Sequence, residues 1–252
     1  MSISLQHEIV YGPIHSRRFG TSLGINILPT DQKICLYDCV YCQYGPTDLH
    51  RALGFPTLDQ IEGDLAAVFP EWKNHKRPLD WIMIAGNGEP TLHPDFDKVI
   101  EILLSFRDRY LFGVPIGILS NSSTCYKPRI QDCLRKLDGR FMKLDAGSPE
   151  MFAAVNQPCK AVQWRQILGG LYHLQRIVLQ SMFVVGSADN TKDSSVGEWI
   201  ETVRYIKPES VQVYTVSRPT SQEGILPASR PKLDQIAELL MENTRIPAYV
   251  YD

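Results

Sequence analysis

The chain has 252 residues, of which 44% are hydrophobic and 21% charged, a composition typical of globular proteins with one large α/β domain or two small ones. Its 26 Lys and Arg residues nearly balance 28 Asp and Glu residues. A formal net charge of −2 argues against a strong basic field for a long phosphate backbone, so a nucleic-acid partner is not favoured, although a local basic patch is compatible with it.

The first residues, MSISLQHEIV, lack the basic start and apolar run of a signal peptide. The longest apolar runs are also too short to cross a bilayer, so we expect no membrane partner. We therefore predict a cytoplasmic location, where clustered cysteines more often bind metal than form disulfides.

Short β-rich runs alternate with helical patterns along the chain. The predicted strands are 24–29, 80–86, 114–120, 140–146, 177–186, 210–216 and a last short strand at 248–252. The predicted helices are 58–69, 95–107, 127–136, 161–175, 193–206 and 231–243. This alternation predicts parallel βαβ units that form either a partial barrel or a doubly wound sheet. In both folds, functional groups gather at the carboxyl ends of the strands.

Three of the six cysteines follow the first predicted strand with the spacing C-x3-C-x2-C: Cys35, Cys39 and Cys42. Thiolates suit zinc and iron–sulfur clusters. Structural zinc needs four protein ligands, and no second cysteine pair follows. Three histidines are available as a fourth ligand, but none has zinc-finger spacing: His15, His50 and His93. A cubane cluster held by three thiolates, with one iron open to another ligand, agrees better with this pattern.

Polar residues also follow the next two predicted strands. The second strand ends in the motif G-N-G-E at 86–89, where two glycines allow a close approach of the backbone to a ligand. The third ends in Ser120 and Asn121, which suit ribose hydroxyls or a carboxylate. The alternatives are a tight turn with a surface Glu, and helix capping by Ser and Asn.

The later strands carry further candidates for catalysis and substrate binding. Lys143 and Asp145 lie two apart on one face of the fourth strand. The fifth and sixth supply Gln180 and Tyr214, and Arg218 follows. These groups could line a substrate chamber, with Lys143, Asp145 and Arg218 as catalytic residues, or be satisfied polar groups of the core.

The segment before the cysteines is rich in anion-binding side chains: His15, Arg17 and Arg18. Arginine pairs bind carboxylates and phosphates through two parallel hydrogen bonds. A solvated basic turn is the alternative. We favour a substrate-binding role for these three residues, because this segment leads directly into the cysteine loop. Tyr214 is a further candidate for substrate binding, from its place on the sixth strand.

The C-x3-C-x2-C spacing, with Tyr41 just before the third cysteine, resembles the signature of the radical S-adenosylmethionine (SAM) superfamily. The resemblance implies a partial (β/α)6 radical SAM barrel with a short N-terminal extension. We expect one domain over 1–252, with an extension at 1–20, a core at about 20–220 and a C-terminal helix and strand at 221–252.

The resemblance also implies the cofactors, a [4Fe–4S] cluster and SAM. In this superfamily one electron from the cluster cleaves SAM, and a 5′-deoxyadenosyl radical abstracts a substrate hydrogen. The implied cluster ligands are Cys35, Cys39 and Cys42. The expected contacts to SAM are Tyr41, Gly86, Asn87, Gly88, Glu89, Ser120, Asn121 and Gln180. The motif has an inserted Asn relative to the usual G-G-E, a variant that we regard as compatible.

The runs GPIHSRRFGTSLGIN, GNGEPTLHP, MKLDAG and YTVSRPT resemble a group of iron–sulfur oxidoreductases related to 4-demethylwyosine synthase, which remodels a methylated guanine in tRNA. The likeness covers about 11–250. It does not imply the wyosine activity, because the second cluster of that enzyme needs upstream cysteines and residues 1–34 contain none.

We expect hydrogen abstraction from an unidentified small or macromolecular substrate, with an electron donor such as flavodoxin or ferredoxin. The alternatives are a tRNA-modifying enzyme of the wyosine type, a zinc-containing nucleic-acid-binding protein, and an iron–sulfur electron carrier without SAM chemistry.

Overall fold

A computed structural model describes residues 4–47, 54–73, 75, 78–218, 220 and 222–251. The strands in these residues are β1 (Val10–Ser16), β2 (Gly20–Ile25), β3 (Trp81–Ile84), β4 (Ile116–Ser120), β5 (Gly139–Lys143), β6 (Val178–Met182), β7 (Val184–Gly186), β8 (Ser210–Tyr214), β9 (Ile225–Pro227) and β10 (Ala248–Tyr251). The α-helices are α1 (Leu58–Lys73), α2 (Phe96–Tyr110), α3 (Pro128–Arg135), α4 (Pro149–Asn156), α5 (Trp164–Leu174), α6 (Asp193–Ile206) and α7 (Arg230–Thr244). A short 3₁₀ helix spans Pro90–Leu92.

Eight strands form one sheet in the order β1-β2-β3-β4-β5-β6-β8-β10. Strands β2, β3, β4, β5, β6 and β8 are parallel to one another. Strand β10 extends the sheet in parallel beside β8, and β1 runs antiparallel to β2 at the other edge. Strands β7 and β9 form a separate antiparallel pair. Six successive parallel strands with intervening helices confirm the expected α/β partial (β/α)6 barrel, extended at one edge by β1 and at the other by β10.

The two faces of the sheet differ in what covers them. Helices pack on one face, where residues from strands and helices share a large apolar core. The opposite face, here called the inner face, carries a small apolar cluster around Phe19, Met83 and Phe141, with no member from an α-helix. The ring centroids of Phe19 and Phe141 are 4.6 Å apart. Coverage by helices on one face only distinguishes this barrel from a doubly wound sheet.

The inner face becomes polar toward the carboxyl ends of the strands. Phe141 and Lys143 are two apart on β5 and therefore share a face. Lys143 is in register with Gln180 on β6, which is in register with Gln212 on β8. On the inner face, the polar side chains of Lys143, Gln180 and Gln212 thus lie nearer the carboxyl ends of the strands than the apolar cluster around Phe19, Met83 and Phe141. This cluster is called the apolar floor below.

Several boundaries differ from the sequence-based expectations. The first parallel strand, β2, ends at Ile25 rather than 29. The run 177–186 divides into β6 and β7, because the Asn190 side chain binds the backbone on both sides of Phe183 and turns the chain out of the main sheet. Helix α4 was not predicted, although Pro149 at its first turn, after Ser148, is a recognisable start signal. None of the helices in the described ranges has the length and apolar character needed to cross a bilayer.

Candidate active site at the carboxyl ends of the strands

The cysteine loop (residues 30–47) follows β2 and is tied by backbone hydrogen bonds to the G-N-G-E motif. Ile34 N donates to Asn87 O at 2.9 Å, and Glu89 N donates to Ile34 O at 2.8 Å. This pairing demands glycine at 88: its φ is +136°, and a Cβ there would lie 1.9 Å from the Ile34 carbonyl oxygen. Gly88 therefore allows the backbone of the cysteine loop to come into contact with the backbone of the motif.

A buried lysine, Lys33, links distant parts of the same loop by hydrogen bonds. The sequence alone did not indicate this role. Lys33 Nζ donates to Tyr37 O at 3.1 Å, Gly45 O at 2.7 Å and Asp38 Oδ1 at 2.9 Å. Its side chain is only 4% exposed. Burial lowers the pKa of Lys33, but the neighbouring Cys42, Cys35 and Asp38 outweigh burial and hold the pKa above its usual value. The loop therefore carries a positive charge beside its thiols.

Two of the three loop thiols accept hydrogen bonds from asparagine side chains. Cys39 is buried, and Cys35 and Cys42 are partly exposed. Asn121 Nδ2 donates to Cys35 Sγ at 3.2 Å, and Asn156 Nδ2 donates to Cys39 Sγ at 3.4 Å. Burial raises the pKa of Cys35 to about 12 and that of Cys39 to about 11. Cys35 and Cys39 are therefore favoured as neutral thiols until a metal centre supplies positive charge, because metal ligation requires the thiolate.

The donor set fits an iron–sulfur cluster by its chemistry: three thiols on one loop, with N–H donors directed at two of the sulfurs. Among the described residues, no three His, Cys, Asp or Glu side chains, the loop cysteines included, converge closely enough to hold a single metal ion, so the fit rests on the chemistry of the three thiols and not on their spacing in space. His93 uses both ring nitrogens in contacts, with Pro56 O and with Asp95 N. His50 lies outside the described residues.

Glu89 is fully buried beside the cysteine loop and accepts hydrogen bonds at both carboxylate oxygens. Oε1 accepts from Ser120 Oγ at 3.0 Å and from the Thr91 N and Oγ1 groups at 3.1 and 2.6 Å. Oε2 accepts from Asn121 N at 2.5 Å. Burial raises the pKa of Glu89, and these four donors oppose that shift. The structure therefore brings Glu89, Ser120 and Asn121 together next to Cys35.

The glycine motif has a structural part as well. Asn87 Oδ1 accepts from Gln6 N at 2.8 Å, and Nδ2 donates to Gln6 O at 2.8 Å and Pro29 O at 2.9 Å. A Cβ at Gly86 would lie 2.1 Å from the Asn26 side-chain oxygen. The Asn87 side chain is therefore already hydrogen-bonded to backbone groups. Its predicted contact to a cofactor stays a prediction, and the backbone atoms of Asn87 are the ones that could make it.

Asp145 connects the cysteine loop to β5 and β6. Its Oδ2 accepts from the Tyr41 hydroxyl and from Asn156 Nδ2 at 2.7 Å, and its Oδ1 accepts from Met182 N at 2.8 Å. Lys143 Nζ lies 3.6 Å from Asp145 Oδ1. Sequence reasoning missed Asn156, whose buried Oδ1 has no hydrogen-bond partner among the described residues.

Lys143 and Tyr214 meet across the inner face. Lys143 Nζ donates to the Tyr214 hydroxyl at 2.8 Å and lies 4.6 Å from the Tyr41 ring centroid. Burial lowers the pKa of Lys143, but Asp145 and Tyr214 outweigh burial and raise the pKa above its usual value. Beside this group, Gln180 donates to Gln212 at 2.8 Å.

The remaining predicted residues divide into one that reaches the inner face and three that are exposed. The guanidinium carbon of Arg18 lies 4.4 Å from the Tyr214 ring centroid. His15 is exposed and contacts Thr21, and Arg17 is exposed beside it. Arg218 is exposed after β8, and its positive charge lowers the pKa of Tyr44 against the larger effect of burial. Within the described ranges no hydrogen bond or ion pair joins Arg218 to Lys143 or Asp145.

Curated relatives identify the family. The chain is 30% identical over 240 residues to the UPF0026 protein MJ1312 of Methanocaldococcus jannaschii. The matched residues cover 92% of this chain and 70% of MJ1312. The chain belongs to the UPF0026 family. UPF0026 proteins of Helicobacter pylori and Synechocystis are similar at 29–30% identity. The chain is also 32% identical over 225 residues to a protein of Brachyspira hyodysenteriae named GTPase Obg, but it spans only 31% of that protein. No protein-family model matches the sequence.

Solved structures of radical SAM enzymes have the same fold as this UPF0026 chain. TYW1 with a lysine–pyruvate adduct bound superimposes with a TM-score of 0.64 at 16% identity, covering 88% of this chain and 74% of TYW1. A radical SAM methyltransferase from Sphaerobacter thermophilus superimposes with a TM-score of 0.65 at 14% identity, covering 92% of this chain and 66% of the methyltransferase. Streptococcus suis SuiB bound to S-adenosylmethionine superimposes with a TM-score of 0.64 at 13% identity, covering 91% of this chain and 50% of SuiB. At these identities the likeness concerns the fold.

Proposed function

We propose that this UPF0026 chain is a radical SAM enzyme, with residues 1–252 forming one radical SAM domain. The observation that carries the proposal is the backbone pairing of Ile34 with Gly88 and Glu89, which joins a three-cysteine loop to a buried carboxylate at the carboxyl edge of a radical SAM fold. When bound, a [4Fe–4S] cluster and SAM supply a 5′-deoxyadenosyl radical that abstracts hydrogen from a substrate.

The chain's own residues have distinct parts in this proposal. Cys35, Cys39 and Cys42 hold the cluster, and the Asn121 and Asn156 amides stabilise negative charge on two of the sulfurs. Glu89, held by Thr91, Ser120 and Asn121, presents an acceptor to the SAM amino group. Tyr41, the Gly86–Gly88 backbone and Gln180 complete the predicted cofactor contacts.

Lys143 and Asp145 face the substrate in this proposal. Their ion pair and the Tyr41 and Tyr214 hydroxyls form a polar wall that orients the substrate. Arg218, His15 and Arg17 are exposed, so their proposed roles lie at the mouth of the site. A reducing cytoplasmic setting and a flavodoxin or ferredoxin as electron donor complete the proposal.

The first test is anaerobic reconstitution with iron and sulfide, followed by incubation with dithionite and SAM. We expect a cluster signal in electron paramagnetic resonance that shifts on SAM addition, and slow release of 5′-deoxyadenosine. Replacing any one loop cysteine by alanine should lower 5′-deoxyadenosine formation by roughly a hundredfold or more, because it removes a ligand.

Cys159→Ala is the matched control, because Cys159 is a partly exposed cysteine outside the loop. It should keep wild-type cluster content and cleavage. A cluster that neither binds nor cleaves SAM would refute the enzyme class and leave the electron-carrier alternative. Stoichiometric zinc with no cluster would instead favour the zinc-containing nucleic-acid-binding protein.

A further inference from the structure

Two cations flank one tyrosine on the inner face. Arg18 comes from the turn between β1 and β2, and its guanidinium carbon lies 4.4 Å from the Tyr214 ring centroid. Lys143 Nζ comes from β5, lies 5.1 Å from the same centroid and donates to the Tyr214 hydroxyl at 2.8 Å. Tyr214 therefore holds two positive charges near each other although they are 125 positions apart in the chain.

Among the described residues, one carboxylate lies near these two cations. Asp145 lies 3.6 Å from Lys143, and it also accepts hydrogen bonds from Tyr41, Asn156 and Met182. In the part of the chain that the structure describes, no carboxylate pairs with Arg18. The Nη1 atom of Arg18 is buried and has no hydrogen-bond partner there. A buried guanidinium donor without an acceptor is costly, so a ligand that supplies an acceptor oxygen would stabilise this atom, and the positive charge of the guanidinium favours an anionic one.

Arg18 approaches the inner face from a different segment than the proposed cofactor contacts. The cysteine loop follows the carboxyl end of β2, whereas Arg18 precedes the amino end of the same strand. Next to Arg18, Phe19 packs on Phe141 in the apolar floor of the inner face. The guanidinium reaches from there to Tyr214, the last residue of β8, whereas the Glu89 carboxylate lies beside the cysteines.

We propose that Arg18, Lys143 and Tyr214 form a binding site for an oxyanion, a carboxylate or a phosphate, carried by the substrate. The proposal rests on the proposed function, because it takes the inner face as the substrate chamber. The planar guanidinium donates two parallel hydrogen bonds to either kind of oxyanion, and the lysine adds a point charge. The substrate class is therefore an anionic molecule whose charged group binds on the inner face between Arg18 and Lys143.

The test uses the full chain without cofactors and two simple probes, inorganic phosphate and acetate. Affinity is measured by isothermal titration calorimetry at constant ionic strength, with chloride as the reference anion. We expect the wild type to bind at least one probe and Arg18→Gln to bind it about ten- to a hundredfold more weakly, the effect of losing one charge-assisted contact. Arg18→Lys should fall between them, because it keeps the charge and loses the planar fork.

Arg109→Gln is the matched control, since Arg109 also lies over a tyrosine, Tyr110, at 5.0 Å, but on the exposed surface of α2. It should bind the probe as the wild type does. Circular dichroism verifies that each variant is folded. Absence of binding in the wild type, or equal binding by Arg18→Gln and Arg109→Gln, would overturn the proposal.

Two further comparisons define the source of the anion. Tighter binding of phosphate than of acetate indicates a phosphate-bearing substrate, and the reverse order indicates a carboxylate. In the reconstituted protein, saturating SAM should leave the probe affinity unchanged, whereas competition would assign the site to the SAM carboxylate and refute a substrate site. Failure of the proposed enzyme class is separate, because it appears as absent SAM cleavage whatever the cofactor-free chain binds.

Discussion

At the scale of single residues, the candidate site depends on buried charges that each have several partners. Glu89 accepts four hydrogen bonds, Asp145 accepts three, and Lys33 donates three. Buried charged groups are stable only when paired and hydrogen-bonded. Lys33 illustrates the consequence, since one ammonium group joins the start, middle and end of the cysteine loop.

Lys33→Met should destabilise the protein by about 1–3 kcal/mol, because the carbonyls of Tyr37 and Gly45 lose their shared buried donor. Urea unfolding of the cofactor-free chain measures the loss. The control is Lys136→Met, which removes an exposed ion pair with Glu101 at 3.3 Å and should cost less than about 1 kcal/mol. Equal losses in the two variants would contradict a structural role for the Lys33 ammonium.

At the scale of elements, the cysteine loop and the turn after β3 form one unit. Their contact is a parallel bridge between Ile34 and Gly88, flanked by hydrogen bonds to Asn87 and Glu89. Two segments more than fifty positions apart therefore hold the thiols and the buried carboxylate in a common frame. The close backbone approach explains why glycine occupies position 88.

Gly88→Ala tests this contact, with Gly113→Ala as its matched control. Both glycines have positive φ, +136° and +85°, but a Cβ at Gly113 would have nothing within 4 Å. Gly113→Ala should cost about 1–2 kcal/mol for the backbone conformation alone. Gly88→Ala should cost about 1–3 kcal/mol more, because its Cβ meets the Ile34 carbonyl. Thermal and urea unfolding measure the free energy of unfolding of the two variants. Similar losses of stability in both would show that the backbone of Ile34 does not lie tightly against Gly88.

At the scale of the whole molecule, the sheet has a protected centre and two different edges. Strands β4 and β5 lie in the middle of the eight-stranded order, and β1 and β10 lie at its ends. Residues of β4 and β5 such as Ile118 and Met142 are fully buried, whereas Tyr249 on β10 is 54% exposed. Opening should therefore begin at the edges.

Hydrogen exchange followed by mass spectrometry should reveal this gradient. We expect amides of β4 and β5 to exchange on the order of a hundredfold more slowly than those of β10, because central strands open only in larger unfolding events. Peptides covering the exposed residues 12–15 of β1 provide the opposite edge as an internal comparison. Equal protection of β10 and β5 would contradict an edge position for β10.

The sequence alone determined the alternation of the main parallel strands and helices, and the residues of the cysteine loop. Helix α6 spans the predicted residues 193–206, and α3 and α7 lie within one residue of their predicted bounds. These features depend on local periodicity and on spacing over a few residues, which a single sequence displays directly. The sequence also indicated that the polar residues after β3, β4 and β5 share one edge, because parallel strands end together.

Only the tertiary structure decided which of these residues meet. Lys33 reads as an ordinary surface lysine until the loop folds over it, and Asn156 lies on a helix that the pattern did not predict. Arg17 and Arg18 are indistinguishable in sequence, yet one is exposed and the other reaches Tyr214. The direction of a side chain in a turn is set by packing of the neighbouring Phe19 on Phe141, a contact more than one hundred positions away that no local pattern encodes.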